Sequence, residues 1–292
     1  MRKGSRLHIA AGHARLVLRD LGVTKLPVEP KWIAEQNEIL VQAKPVSARG
    51  VSGMLIRNGN DFAIAYATHI RNPGFERFSI AHELGHFFIP GHPESVFRTG
   101  PVHESRGGFC SGDDIEIEAD HFAAALLMPK ALFQLEIRKQ ATENLDLILA
   151  LADACKTSRT ATAIRYTELA DVPVAVVVSQ GPRIDYCFMS EALRELPGLD
   201  WPRKGSALPA GTATRLFNSD PEKVRNGERT DNTFLLSDWF GGRWEAECLE
   251  EVLGLGAYEK TLTLITPIGG MDVEELLEDE ELLESWTPRF RR

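Results

Sequence analysis

The sequence predicts an α+β protein of two parts, and three observations lead to this prediction. The 292 residues are 43% hydrophobic and 26% charged, which is typical of folded globular proteins rather than disordered, collagen-like or membrane-embedded chains. Up to about residue 171, segments with apolar positions at helical spacing surround a few short strands. Beyond that point β-branched runs become prominent, which predicts a smaller C-terminal α/β domain over residues 172–270.

Periodicity and turn residues define the elements in chain order. Apolar positions recurring every three to four residues predict helices over 7–21, 31–36, 75–89, 115–128, 143–155 and 159–169. Short apolar runs between turn signals predict strands over 39–42, 51–56, 62–66, 172–179, 184–189 and 261–266. Residues 91–114 are rich in glycine, proline, serine and charge, and we expect them to form a long loop.

Charge and cysteine usage exclude several classes of protein. The formal net charge is −9, and much of it lies in an acidic tail over 271–292, so the chain has no basic excess for dominant nucleic-acid binding. The four cysteines form no C-x-x-C pair, which argues against a cysteine zinc site or a disulfide framework. No uncharged apolar stretch suits a signal peptide or a membrane span, and we therefore expect a cytoplasmic protein.

The strongest chemical motif is H-E-x-x-H at residues 82–86, on the helix predicted over 75–89. Residues four apart lie on one face of a helix, so His82 and His86 can hold one metal ion together. Glu83 lies about a hundred degrees around the helix, where it can serve as general base toward metal-bound water. The motif therefore predicts a zinc hydrolase.

A catalytic zinc site usually has a third protein ligand, and the sequence offers three candidates. We favour Glu116 on the next predicted helix, with Asp120 four residues later accepting the N–H of a ligand histidine. Glu118, on another face of the same helix, is one alternative. His92 is the other: it completes the metzincin ligand spacing, although Ile89 stands where that class has glycine.

Two linked segments, FSIAHELGHFFI and EIEADHFAAALLMP, closely resemble the motifs of the ImmA/IrrE family of bacterial metallopeptidases. The resemblance covers roughly residues 5–170 and continues more weakly beyond. It implies that His82, His86 and Glu116 bind one Zn²⁺ ion, and that Glu83 is the catalytic base. Manganese is possible with the same ligands. The implied fold is a minimal zincin, with a small twisted sheet beside the active-site helix.

The resemblance also implies a function and a domain organisation. The family makes site-specific cuts in regulatory proteins, typically helix-turn-helix repressors, in stress response, mobile-element or toxin–antitoxin control. We expect a zincin-like metallopeptidase domain over 1–130, a helical segment like a helix-turn-helix over 131–171, a sensor-like domain over 172–270 and the acidic tail over 271–292. The expected partner is thus a protein substrate, with neither DNA nor a membrane favoured.

Two other functions remain open from the sequence. One is a zincin-like scaffold that binds a repressor without cutting it, although the intact Glu83 counts against it. The other is a DNA-binding regulator that acts through the helices over 143–169, where Lys156, Arg159 and Arg165 are available for phosphates.

Some residues have roles that the sequence leaves undecided. A second donor for the oxyanion is usual in this chemistry, and Arg77, Tyr66, His103 and His121 are all candidates. Cys110, in the predicted loop, is more simply interpreted as a free thiol than as a redox gate on zinc.

An aromatic cluster stands out in the C-terminal domain. Trp239, Phe240 and Trp244 lie near two glycines, and core packing is favoured over a pocket wall.

Overall fold

The computed structural model describes residues 3–44, 50–68, 72–106, 113–140, 144–242 and 244–269. Across these residues the fold is α+β with two sheets, as the sequence predicts. The chain divides into two compact units: Met1–Ala141 with Leu149–Thr162, and Thr142–Ile148 with Ala163–Arg292. Cys110 and the acidic tail lie outside the described residues.

The sheet of the first unit has the strand order β1-β3-β2-β4. Its strands are β1 (Leu40–Lys44), β2 (Val51–Asn58), β3 (Asp61–Ala67) and β4 (Val102–Arg106). Strand β1 runs parallel to β3, whereas β2 pairs antiparallel with both β3 and β4. The tight turn between β2 and β3 contains Gly59 at φ 64°, a left-handed conformation that glycine adopts without strain.

Six helices pack beside this sheet within the described part of the first unit before residue 141. They are α1 (Lys3–Asp20), α2 (Pro30–Gln36), α3 (Pro73–Phe88), α4 (His92–Val96), α5 (Asp114–Leu127) and α6 (Lys130–Ile137). Helices α3 and α5 pack closely because Gly85 has no side chain: a Cβ there would lie 3.1 Å from the Cα of Ala119. This close packing brings the two motif-bearing helices together.

The predicted long loop over 91–114 is wrong, because this segment contains α4 and β4. In β4, His103 and Ser105 point inward, whereas Val102 and Glu104 are exposed. Its inward side chains are polar and one of its exposed side chains is apolar, the reverse of an ordinary amphipathic strand. Alternation of hydrophobicity therefore did not predict β4 from the sequence. Backbone pairing with β2 forms the strand instead.

The helical pair predicted near residue 150 is confirmed. Helices α7 (Leu145–Cys155) and α8 (Arg159–Leu169) follow the predicted bounds closely. The Ala161 amide donates to the Ser158 hydroxyl at 3.1 Å, the hydrogen bond expected of an N-cap serine.

The second unit is built on an antiparallel sheet of order β6-β5-β9-β8-β7. Its strands are β5 (Ala175–Gln180), β6 (Arg183–Met189), β7 (Arg229–Leu235), β8 (Glu247–Gly254) and β9 (Thr261–Pro267). The sequence predicted β5, β6 and β9 but missed β7 and β8, which carry many polar and charged side chains. Short helices connect the strands: α9 (Glu191–Arg194), α10 (Ala213–Asn218), α11 (Pro221–Asn226), α12 (Leu236–Phe240) and a 3₁₀ turn (Gly256–Tyr258).

The aromatic cluster of the second unit belongs to its core. Trp239, Phe240 and Trp244 are all buried, among residues that include Val177 and Cys187. Core packing, the interpretation favoured from the sequence, is confirmed.

None of the helices in the described segments combines the length and apolar character needed to cross a membrane.

Candidate metal centre

Helix α3 supplies the residues of the H-E-x-x-H motif. The Asn72 side chain accepts hydrogen bonds from the amides of Gly74 and Phe75, and Pro73 occupies the first helical turn, so the sequence fixes where α3 begins. One turn apart in the buried part of α3, His82 and His86 have Nε2 atoms 3.1 Å from each other.

Helix α5 adds a carboxylate to the two imidazoles. Oε2 of Glu116 lies 3.2 Å from Nε2 of His82, and its Oε1 lies 3.4 Å from Nε2 of His86. On the other side of the His82 ring, Nδ1 lies 2.8 Å from Oδ1 of Asp120. The four-residue spacing of the two acids therefore places one at each nitrogen of His82.

The other two candidates for the third ligand, His92 and Glu118, contact each other. Nε2 of His92 is 3.1 Å from Oε2 of Glu118, and both side chains are buried. Arg6 of α1 forms an ion pair with the same carboxylate at 2.7 Å. Glu118 is therefore buried rather than solvated, and within the described residues only Glu116 completes a cluster of three ligand atoms with His82 and His86.

Glu83 is fully buried beside this cluster. Neither of its carboxylate oxygens makes a hydrogen bond of standard geometry with a described residue. Burial raises the pKa of Glu83 to about 7, against the opposing influence of His82, Ser105 and His103. A buried carboxyl without a well-formed hydrogen bond is costly, and such groups are concentrated at functional sites.

The cluster favours a positive charge between its nitrogen and oxygen atoms. Burial disfavours the charged form of His82, but hydrogen bonds to Asp120 and Glu116 outweigh it and raise its pKa to about 10. Burial lowers the pKa of His86 to about 3. Burial acts to raise the pKa of Glu116, yet hydrogen bonds from His103 and the other two histidines outweigh it and hold that pKa below its usual range.

The residues present fit a metal ion in both geometry and chemistry. The three ligand atoms of His82, His86 and Glu116 all lie within 4.8 Å of one another. Tetrahedral ligands at about 2.1 Å from one ion are roughly 3.4 Å apart, close to the contacts described above. Two imidazoles and one carboxylate form a donor set of catalytic zinc sites, which leaves a fourth position for water or substrate. This is a candidate metal site.

Comparison with known protein families identifies the part of the chain that carries the site. The family model of the IrrE N-terminal-like domain, Peptidase_M78, matches residues 34–167. Residues 34–167 are therefore similar to a Peptidase_M78 domain. The resemblance to the ImmA/IrrE family is thereby confirmed, and the domain is metallopeptidase-like.

Two further comparisons concern the whole chain. Curated protein sequences give no significant match. A solved structure described as a Mycobacterium tuberculosis transcriptional regulator is similar, with a TM-score of 0.57 and 14% sequence identity over 89% of this chain and 77% of that one. At this identity the similarity concerns the fold alone.

Among the candidate oxyanion donors, His103 is the one that contacts the cluster of His82, His86 and Glu116. Its Nε2 lies 3.1 Å from Oε1 of Glu116. Its ring centroid is 4.5 Å from that of His86, nearly edge-on. The residue is brought here by β4, inside the segment that the sequence assigned to a loop.

Arg77 and Tyr66 make other contacts. The guanidinium of Arg77 pairs with Glu29 at 2.7 Å and donates to the carbonyl of Val28. The Tyr66 hydroxyl accepts from Lys31 at 2.7 Å. These contacts give Arg77 and Tyr66 structural roles.

His121, the fourth candidate, is half-buried on α5 immediately after Asp120.

Sequence reasoning missed the contribution of β2 and β4 to the surroundings of Glu83. Gly53 on β2 lies against this carboxylate: a Cβ there would overlap Oε1 and lie 3.1 Å from Cδ. Ser105, its neighbour on β4, is buried, and its hydroxyl is one of the groups that act on the pKa of Glu83. A glycine inside a predicted strand signals close approach of another group, and this was the one hint available.

Proposed function

We propose that the protein is a zinc-dependent endopeptidase that makes site-specific cuts in a regulatory protein. The observation that carries this proposal is the arrangement of three ligand atoms beside the fully buried Glu83, whose carboxylate makes no hydrogen bond of standard geometry with a described residue. A purely structural metal site needs no such base, because it uses all its coordination positions for protein ligands.

In this proposal each residue has a defined role. His82, His86 and Glu116 hold the ion, and Asp120 keeps the His82 ring in the tautomer that presents Nε2. When bound, zinc supplies a Lewis acid that polarises the scissile carbonyl and acidifies the attacking water. Glu83 takes the proton of this water on its carboxylate and returns it to the leaving amine.

His103 is the residue that we assign to the developing negative charge of the carbonyl oxygen. It faces the same cluster as the ligands, and a ring N–H placed there can donate to the oxyanion. Strand β4, which carries it, is the outer strand of its sheet. An extended substrate segment could therefore pair with the backbone of β4 and pass beside the ligands.

The substrate class rests on the family resemblance, which favours a helix-turn-helix repressor. The similar M. tuberculosis structure is described as a transcriptional regulator, which supports a role in regulation. We further propose that the second unit is a sensor that controls the peptidase.

A protein substrate is favoured over DNA by the charges of the helical pair. Lys156 is paired with Asp153 at 2.7 Å, and Arg165 with Glu168 at 2.7 Å. Two of the three cations proposed for phosphates thus already have carboxylate partners within the helical pair.

The experiment compares new protein N-termini in cells that produce the wild type or Glu83→Gln, with and without stress. This substitution removes the base and leaves the ligands in place. Glu35→Gln, an exposed glutamate of α2, is the matched control. We expect a peptide end that appears with the wild type and the control but not with Glu83→Gln. The same end in all three would reject cleavage by this site, and no new end under any stress would favour the non-cleaving scaffold.

A further inference from the structure

A continuous line of contacts leads from the metal cluster to the N-terminal helix. The Nε2 atom of His86 faces the cluster, and its Nδ1 lies 3.3 Å from Nδ1 of His92. The other nitrogen of His92 lies 3.1 Å from Glu118, which forms an ion pair with Arg6 at 2.7 Å. Four side chains from four helices thus stand in series, beginning with the candidate ligand His86.

The inner members of this series are shielded from water. His86 is 0% exposed, His92 is 3% exposed and Glu118 is 6% exposed. Buried polar atoms need partners inside the protein, because water cannot satisfy them. The contact between the two imidazoles therefore determines which nitrogen carries each proton.

A single protonation pattern gives every ring nitrogen in the series a partner. A neutral imidazole has one N–H donor and one acceptor nitrogen. When Nε2 of His86 binds a metal, its Nδ1 carries the proton and donates to Nδ1 of His92. The remaining nitrogen of His92 then carries its proton and donates to Glu118. The carboxylate in turn faces the permanent positive charge of Arg6.

The backbone is shaped to place His92 there. Helix α3 ends at Phe88, and Gly91 has φ 86°, which turns the chain sharply into α4. His92 is the first residue of α4, and its ring centroid lies 5.4 Å from that of His86. The candidate ligand and the residue behind it are therefore joined by one short turn.

We propose that His92 is a positioning residue that fixes the tautomer and orientation of His86, with Glu118 and Arg6 anchoring it. The proposal rests on the metal centre of the proposed function and extends it. It also assigns a role to the two residues that were alternative third ligands. His82 is oriented directly by a carboxylate, whereas His86 is oriented through a second imidazole.

Two substitutions at His92 separate positioning from simple packing. The oxygen of Asn in His92→Asn stands near the place of Nδ1 and can still accept from His86, but the side chain no longer reaches Glu118. The amide of Gln in His92→Gln stands near the place of Nε2 and can still donate to Glu118, but it loses the acceptor for His86. The measurement is the Kd of the full-length protein for Zn²⁺, by competition with a chromophoric chelator at fixed pH.

We expect His92→Gln to bind Zn²⁺ about 10- to 100-fold more weakly than the wild type, the usual effect of losing a partner of a metal-bound histidine. His92→Asn should stay closer to the wild type. A merely structural His92–Glu118 pair predicts the opposite order, with the Gln variant close to wild type and the Asn variant less stable to heat. Equal Zn²⁺ affinity in the wild type and His92→Gln would overturn the proposal.

Further measurements and variants test whether a change in Zn²⁺ affinity has a cause other than the loss of positioning. Thermal unfolding of the metal-free proteins reports on folding, and Glu118→Gln tests the anchor if His92→Gln does not fold. We expect this variant to bind Zn²⁺ more weakly as well, and unchanged affinity would remove Glu118 and Arg6 from the proposal. Glu116→Ala should lose tight binding. If the wild type binds no better than Glu116→Ala, the metal centre itself is rejected, and the positioning role with it.

Discussion

Glu83 can act as a base only while its carboxylate is ionised. Burial raises its pKa to about 7, so activity should fall as the pH drops, by about tenfold per unit once the pH is below that pKa. A bound cation favours the carboxylate and moves the midpoint downward from this value. The measurement is kcat/KM across the acid range, on the substrate identified from its new N-terminus.

Metal content must be followed in the same samples, because protonation of His82 and His86 at low pH would release the ion. A profile that stays flat while the metal remains bound would contradict the role of Glu83. Any residual kcat/KM of Glu83→Gln should not show this fall at low pH.

Gly53 leaves the space that the Glu83 carboxylate occupies. In Gly53→Ala the new methyl group would overlap Oε1, so the carboxylate must move. Displacement of a base by about 1 Å costs on the order of 100-fold in rate. We therefore expect activity to fall by at least tenfold while the protein still binds one metal ion per chain.

Gly100→Ala is the matched control for this change, since no atom lies within 4 Å of a Cβ at that position. It should leave kcat/KM unchanged. If Gly53→Ala has wild-type activity, the close approach of β2 does not position the base.

At the scale of elements, the site depends on the close packing of α3 and α5. Gly85 lies between the two histidines and directly faces Ala119, three residues after Glu116. A methyl group at 3.1 Å from the Ala119 Cα forces the helices apart, because the three atoms that it meets are the Cα, Cβ and carbonyl oxygen of Ala119, none of which can rotate away. Overpacking of this kind typically costs about 1–3 kcal/mol.

Gly85→Ala should therefore lower the free energy of unfolding and weaken Zn²⁺ binding together, since the ligands come from both helices. Thermal unfolding and chelator competition measure the two effects. Gly12→Ala in α1, where a Cβ has open space, should instead stabilise the protein by about 0.5–1 kcal/mol. Unchanged metal affinity in Gly85→Ala would show that the ligands do not depend on this packing.

At the scale of the whole molecule, all three candidate ligands belong to the first compact unit. A ligand that binds only the folded state stabilises it, by about 4 kcal/mol at a thousand times Kd. Removing the metal with a chelator should therefore increase hydrogen exchange in α3 and α5, and leave the strands β5–β9 of the second unit nearly unchanged. Hydrogen exchange with mass spectrometry measures both regions in one sample.

Glu116→Ala is the control for the chelator, because it should show the exchange pattern of the metal-free wild type with or without added Zn²⁺. A uniform increase over both units would mean that the metal stabilises the molecule as a whole rather than the first unit.

The sequence by itself determined the relative positions of residues that lie within one helix. The pairing of His82 with His86 follows from the repeat of the α-helix, and so does the spacing of Glu116 from Asp120. The start of α8 follows from a serine cap in the same way. Backbone hydrogen bonds fix this geometry over four residues, so local spacing is enough to predict it.

Only the tertiary structure decided what depends on contact between elements. Glu116, Glu118 and His92 were all possible third ligands, and the rotation of α5 against α3 brought only Glu116 to both imidazoles. His103 reached the cluster on β4, a strand with no hydrophobic signal of its own. Helix packing and strand register determine these contacts. A rotation of one helix, or a slip of one residue in a strand, would change every partner, so no local sequence pattern predicts them.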